Sequence, residues 1–180
     1  MNKKVRWITE TAVLLALLVV LQSVTKPLGQ LVTGSCVNAV LAIAALMVGM
    51  SSGVTIAVIS PVLAYLLGIA AQPVTIPAIM AGNAVFVILL SAIAGKNHAI
   101  GAQVAGWLLA AVAKFATLYI LVAKIICGIA SAPLLASGTL KPPMLEKLPA
   151  TFTWPQLITA LIGGGIAVLI APVLRKALKR

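Results

Sequence analysis

Acidic residues are almost missing from this sequence. Only Glu10 and Glu146 carry carboxylate side chains, against thirteen Lys and Arg, and charged residues make up 8% of the 180 positions. A soluble domain carries roughly a quarter charged residues, so this chain has too few to cover a water-exposed surface. Because 62% of the residues are hydrophobic and the mean hydropathy is +1.19, the composition predicts an integral membrane protein.

The sequence also lacks the residue sets of several kinds of site. Cys36 and Cys127 stand far apart without a C-x-x-C motif, and the single His98 lies in a predicted loop. We therefore expect neither a disulfide framework nor a metal site. No Walker A sequence, Ser-His-Asp set or H-E-x-x-H motif occurs, and no carboxylate lies within an apolar run, so we expect no enzymatic activity, no cofactor and no Asp/Glu proton relay.

The basic residues give a net charge of +11, which raises the question of nucleic-acid binding. They cluster at the ends of apolar runs, as membrane flanks do, and they form no stripe along one face. We therefore expect a lipid bilayer as the partner of this chain and no nucleic acid.

Six apolar segments are long enough to span a bilayer, at about 7–25, 35–51, 53–70, 74–94, 99–125 and 154–175. They predict an all-α fold, a six-transmembrane-helix bundle that forms a single membrane domain over residues 1–180. The basic start followed by an apolar run resembles a signal peptide, but no A-x-A-like cleavage site follows, so we expect the first helix to be retained.

Six crossings place both termini on one side, and the distribution of basic residues makes that side cytoplasmic. Lys3, Lys4 and Arg6 precede the first segment, and four more basic residues follow the last one. The external side receives a long loop over about residues 127–153, a length typical of a lid or binding loop although a plain connector remains an alternative.

Polar side chains at membrane depth are the candidate functional residues. A buried amide without a partner costs several kcal/mol, and a central lysine costs roughly 2.5–3.5 kcal/mol on insertion scales. These groups must therefore face one another, water or a ligand. The candidates are Asn38, Asn83, Lys114, Thr117, Tyr119, Gln156 and Thr159.

Lys114 lies about 22 Å into a hydrocarbon core about 30 Å thick, nearer the external face. Glu10 starts the first helix on the cytoplasmic side and Glu146 lies in a loop, which disfavours an internal ion pair. Two interpretations remain. The long side chain carries its ammonium to the external interface, or it faces an externally open cavity and meets a ligand carboxylate, phosphate or carbonyl.

Three elements of the sequence resemble a known family. They are the A-x-x-x-A of the first helix (Ala12 and Ala16), the Gly-Asn pair of the fourth (Gly82 and Asn83) and the lone Lys114 of the fifth. Together with the length, the six segments and the longer external loops, they resemble the substrate-binding S components of energy-coupling factor (ECF) transporters, vitamin-uptake members of the ABC superfamily.

The resemblance implies a role and partners. Ala12 and Ala16 would face a transmembrane T subunit driven by two cytoplasmic ATPases, and Asn83 and Lys114 would line an externally open pocket covered by loops. The S component would topple within a prokaryotic plasma membrane during uptake. A neutral or anionic micronutrient such as pantothenate, a flavin or nicotinate fits this chain best. A stand-alone channel or facilitator, and a structural subunit without a ligand, are the alternatives.

Overall fold

The computed structural model describes residues 2–69, 72–95 and 99–178, and within those ranges it contains helices and no β-strand. The predicted loop residues Lys96 and His98, the predicted third-segment end at position 70, and the terminal Lys179 and Arg180 lie outside the described residues. The helices are α1 (Lys3–Thr25), α2 (Gln30–Ile43), α3 (Met50–Leu66), α4 (Ile76–Ala94), α5 (Ile100–Leu118), α6 (Ser131–Ala136), α7 (Met144–Phe152) and α8 (Trp154–Ala177).

Two of these helices continue in a wider winding. Residues Ala44–Val48 extend α2, and Tyr119–Ile129 extend α5, as π-helix. Short 3₁₀ turns at Lys26–Leu28 and Pro73–Thr75 precede α2 and α4. The long apolar stretches of the sequence are therefore helical almost from end to end, as a backbone without water requires.

Five stretches of the described chain are long and apolar enough to cross a membrane. The remaining apolar helix, α3, has 17 residues, which gives about 25 Å and puts it at the lower limit for a crossing. The prediction of an all-helical membrane protein is confirmed, while the count of six crossings and the cytoplasmic position of the termini stay predictions. The spanning stretches are Lys3–Leu28, Gln30–Val48, Pro73–Ala94, Ile100–Ile129 and Met144–Ala177.

Glycines in the left-handed region separate the first three helices. Gly29, with φ of 89°, lies between α1 and α2, and Gly49, with φ of 119°, lies between α2 and α3. The predicted turn over GMSSG is thus reduced to Gly49, and the other four residues of this stretch already belong to α3. The segments predicted at 35–51 and 53–70 accordingly begin earlier, at Gln30 and Met50.

The helices pack as an antiparallel bundle in which α2 is central. It contacts α1, α4 and α8, while α5 packs between α4 and α8 and α3 packs against α1 and α4. Apolar residues form most of the core in the half of the bundle near the ends of the chain, with Leu18, Leu41, Phe86 and Leu90 completely buried. The polar cavity described below lies in the opposite half.

The predicted loop over about 127–153 contains structure of its own. Helices α6 and α7 pack against the π-helical end of α5. Leu140 and Leu148 from this segment join Ala78, Leu118 and Val122 in a second apolar cluster. This packing holds α7 over the end of the bundle that lies opposite the start of α1 and the end of α8.

Candidate functional site

Lys114 is buried inside the bundle, with 2% of its surface exposed. Its ammonium nitrogen donates hydrogen bonds to Asn38 Oδ1 at 2.6 Å and to Asn83 Oδ1 at 2.7 Å. Such short contacts are typical of charge-assisted hydrogen bonds. The ammonium also lies 5.7 Å from the centre of the Phe86 ring, within the range of a cation–π interaction. The side chain thus points into the interior and does not reach the membrane interface.

The orientation of Asn38 follows from its other contacts. Its Nδ2 donates to Gly34 O at 2.9 Å and to Thr159 Oγ1 at 3.2 Å. Because the amide nitrogen is committed to two acceptors, the amide oxygen is left to face the ammonium. Thr159 Oγ1 in turn donates to Gln156 O at 3.1 Å. Side chains from α2, α4, α5 and α8 therefore meet at one polar cluster.

Small residues let the helices approach closely enough to form this cluster. A Cβ atom on Gly163 of α8 would lie against Ser35 O and 2.7 Å from both Ala39 N and Asn38 Cβ of α2. A Cβ on Gly82 of α4 would lie 2.8 Å from Leu118 Cγ of α5. Such contacts are shorter than van der Waals separations, so the sequence uses glycine at the points where these helices cross beside the polar cluster.

A cavity of about 340 Å³ opens above the cluster. Its wall is built from the C-terminal ends of α1 and α3, the N-terminal ends of α2, α4 and α8, and α7. It therefore lies at the end of the bundle that is opposite Lys3 and Ala177. Its polar lining comprises Gln22, Lys26, Gln30, Thr33, Asn38, Ser60, Gln72, Thr75, Asn83, Lys114, Lys147, Thr151 and Gln156.

The charges of this cavity are of one sign. Lys26, Lys114 and Lys147 line it, whereas neither of the two acidic residues does. Glu10 pairs with Arg6 at 2.9 Å near the start of α1, and Glu146 is exposed on α7. Lys26 Nζ donates to Gly68 O at 2.6 Å and so ties the end of α1 to the end of α3. The lining is cationic and rich in neutral hydrogen-bonding groups.

The structure brings most of the predicted site residues together, but not all of them. Lys114, Asn38, Asn83 and Gln156 line the cavity, and Thr159 lies behind Asn38 with no exposed surface. The remaining two lie outside it: Thr117 Oγ1 donates to Ala113 O on its own helix, and the Tyr119 ring stacks on Phe115 and lies 5.3 Å from Lys124 Nζ.

Sequence reasoning missed Gln22, Ser60, Lys26 and Lys147 as parts of the cavity. Gln22 and Ser60 are polar residues within apolar helices, so their type was a usable signal, whereas the loop lysines contributed only to the charge count. Among the described residues, no group of three or more His, Cys, Asp or Glu side chains could hold a metal ion.

Ala12 and Ala16 are exposed on α1. The buried residues of that helix, Thr11, Leu18 and Thr25, recur at intervals of seven and define its inner face. The opposite face is apolar and exposed at Val13, Leu17, Val20 and Val24. This outer face of α1 is compatible with lipid or with an apolar protein partner.

The fold and the cavity together define a multi-pass helical membrane protein with an internal polar cavity. The family model of the ECF transporter substrate-specific component matches residues 6–175. The chain therefore belongs to that family, and the resemblance noted in the sequence is confirmed. Proteins of this family are transport subunits and not enzymes. No match was found among curated proteins or among solved structures.

Proposed function

We propose that this protein captures a neutral or anionic micronutrient from outside a prokaryotic cell, as the substrate-binding subunit of an ATP-driven importer. The observation that carries the proposal is the polar cavity, at whose base Lys114 is held by Asn38 and Asn83. A buried ammonium is costly in a membrane protein and is retained where it has a use. Contact with substrate is that use.

The position of the cavity supports capture from outside. It lies at the end of the bundle opposite the chain termini. The distribution of basic residues predicts that the termini are cytoplasmic, so the cavity would face outside. The core of the other half consists mainly of apolar side chains such as Leu18, Leu41 and Phe86, with a few buried polar residues such as Ser52 and Gln103. A cavity at one end of the bundle favours a binding subunit over a channel, which needs a continuous polar path across the membrane.

Partners are proposed from the family and from the surface of α1. The family implies a transmembrane T subunit and two cytoplasmic ATPases. Ala12 and Ala16 are small residues exposed on an apolar face of α1, and small residues allow helices to approach closely in lipid. We assign this face of α1 to the contact with the T subunit.

Two measurements test the proposed function. The purified protein in nanodiscs should bind one micronutrient without ATP, and Lys114→Ala should weaken that binding at least about 30-fold, since a truncated buried charge costs about 2 kcal/mol or more. Unchanged affinity in Lys114→Ala would remove the proposed contact. Flux of the micronutrient through liposomes that contain only this chain would instead favour a facilitator.

The partner interface needs a separate test. Ala12→Phe and Ala16→Phe should abolish ATP-dependent uptake in reconstituted vesicles while ligand binding by the isolated protein stays intact. Ala116→Phe is the matched control, because Ala116 is also exposed, but on α5. If both α1 variants still assemble with the T subunit and the ATPases, the interface lies elsewhere.

A further inference from the structure

The charge of Lys114 is not balanced by any acidic side chain. Its contacts are two neutral amide oxygens and the face of Phe86, and both acidic residues of the sequence lie outside the cavity. A buried charge without a counter-ion carries a desolvation penalty that dipoles offset only in part. A ligand group of negative charge would complete the balance.

Hydrogen-bonding capacity remains for such a group. An ammonium has three N–H donors, and Lys114 uses two of them on Asn38 and Asn83. Among the described residues, no acceptor pairs with Asn83 Nδ2, although Asn83 lines the cavity. The third N–H of the ammonium and this amide N–H are donors that suit the oxygens of a carboxylate or phosphate.

The rest of the cavity has the same electrostatic sign. Lys26 and Lys147 add two exposed ammonium groups at its mouth. Three like charges around one cavity raise the local concentration of anions and repel cations. A neutral ligand would leave the buried ammonium of Lys114 without a counter-ion, whereas Lys26 and Lys147 are exposed to solvent.

A second set of polar groups lies on the wall of the cavity formed by α1 and α3. Ser60 of α3 lines the cavity and is 1% exposed, and its hydroxyl oxygen has no hydrogen-bond partner among the described residues. Gln22 on α1 also lines the cavity, and its buried Oε1 has no hydrogen-bond partner among the described residues. Buried polar atoms are nearly always paired, so these two orphaned groups indicate a ligand with a polar group apart from its acid.

We infer that the substrate of this protein is a compact organic anion, with its acidic group bound by Lys114 and a separate hydrogen-bonding group bound by Ser60 and Gln22. The inference rests on the proposed function, because it takes the cavity as the substrate site. The cavity volume of about 340 Å³ lies near the lower end of the range for small-molecule sites, which favours a compact ligand.

The first experiment identifies the charge of the ligand. The protein is purified gently from its own membrane, and native mass spectrometry detects any co-purified molecule. In parallel, nicotinate with nicotinamide, and pantothenate with panthenol, are assayed as matched acid and neutral pairs. An acidic co-purified ligand, or an acid that binds at least about 30-fold more tightly than its neutral analogue, supports the inference.

The other outcomes separate the two proposals. A neutral or cationic co-purified ligand, or equal affinity for acid and neutral analogue, overturns the anionic assignment and leaves the substrate-binding function standing. If no molecule co-purifies and neither pair binds, both proposals fail together. These readouts use the wild-type protein, so they do not depend on whether a variant folds.

Two lysine variants test the assigned contact. Lys114→Gln should lower the affinity for the acid by at least about 30-fold and bring it near that of the neutral analogue. Lys124→Gln is the matched control, because Lys124 is exposed on the continuation of the same helix and does not line the cavity. An equal effect of both substitutions would mean that net charge, and not this contact, governs binding.

Two serine variants test the second contact. Ser60→Ala should weaken binding by about two- to twelve-fold, the range for one hydrogen bond. Ser91→Ala is the control, because Ser91 Oγ is likewise buried without a partner among the described residues but does not line the cavity. Unchanged affinity in Ser60→Ala would remove Ser60 from the site.

Discussion

Replacing Asn83 by Asp changes the charge at the base of the cavity with almost no change in shape. Asn83 Oδ1 already accepts from Lys114 Nζ at 2.7 Å, so a carboxylate would form an ion pair with the same geometry. The buried ammonium would then have a counter-ion. We expect Asn83→Asp to weaken the binding of an anionic ligand strongly without unfolding the protein.

The magnitude follows from the distances. An acidic ligand group in hydrogen-bond range of Lys114 Nζ would lie about 4–5 Å from the new carboxylate, because both groups share one nitrogen. Two unit charges at that distance repel by about 3–4 kcal/mol at an effective dielectric constant of 20. The affinity for an acid should therefore fall by at least about 100-fold. The affinity for its neutral analogue should change much less.

Binding and stability are both measured for this variant. Isothermal titration calorimetry in nanodiscs gives the affinity for an acid and for its neutral analogue, such as nicotinate and nicotinamide. Thermal unfolding without ligand gives the stability of the variant. Stability should change by no more than about 1–2 kcal/mol, since the gain of a charge-assisted hydrogen bond offsets the desolvation of the carboxylate. Asn2→Asp is the control, because Asn2 is exposed at the start of α1 and far from the cavity. If Asn83→Asp binds the acid as wild type does, an anion at Lys114 is refuted.

Two further substitutions test the packing around the cluster. Gly163→Ala forces α8 away from α2 at Asn38, so it should destabilise the protein by about 1–3 kcal/mol and weaken ligand binding. Gly101→Ala is the control and should not lower the unfolding temperature, because the added Cβ has open space around it. Equal unfolding temperatures for the two variants would contradict the close crossing of α2 and α8. Trp107→Phe removes the hydrogen bond from Nε1 to Ala160 O, 3.2 Å long, and should cost about 0.5–1.5 kcal/mol of stability while ligand affinity stays the same. An affinity loss there would extend the site to α5 beyond Lys114.

The types of the site residues could be predicted from the sequence because a polar group within an apolar run has a high free-energy cost in a membrane. Asn38, Asn83 and Lys114 stand out for that reason, and the structure joins all three by hydrogen bonds. Helix existence was equally readable, since lipid leaves the backbone no alternative to internal hydrogen bonding. The first residues of the helices were harder to predict: only the structure shows that Gly49 alone separates the π-helical continuation of α2 from α3.

Helix rotation and tilt were the information that the sequence did not contain. Thr117 and Tyr119 are three and five positions from Lys114, and the direction of each side chain around α5 places both outside the cavity. Gln22 and Ser60 looked like isolated polar residues until α1 and α3 were placed side by side. Which polar residues share a wall depends on packing between helices that are distant in sequence.

The use of neutral amides to hold Lys114 has a consequence for selectivity. A carboxylate in place of either amide would neutralise the ammonium, and an anion would then gain little from approaching it. Amide oxygens fix the position of the ammonium without cancelling its charge, so the full charge remains for a ligand. Asn38 is itself held by Gly34 and Thr159, which reduces the entropy lost when a ligand binds to a preformed site. The chain thus bears the cost of a buried cation in the free state and recovers it on the proposed binding of an acid.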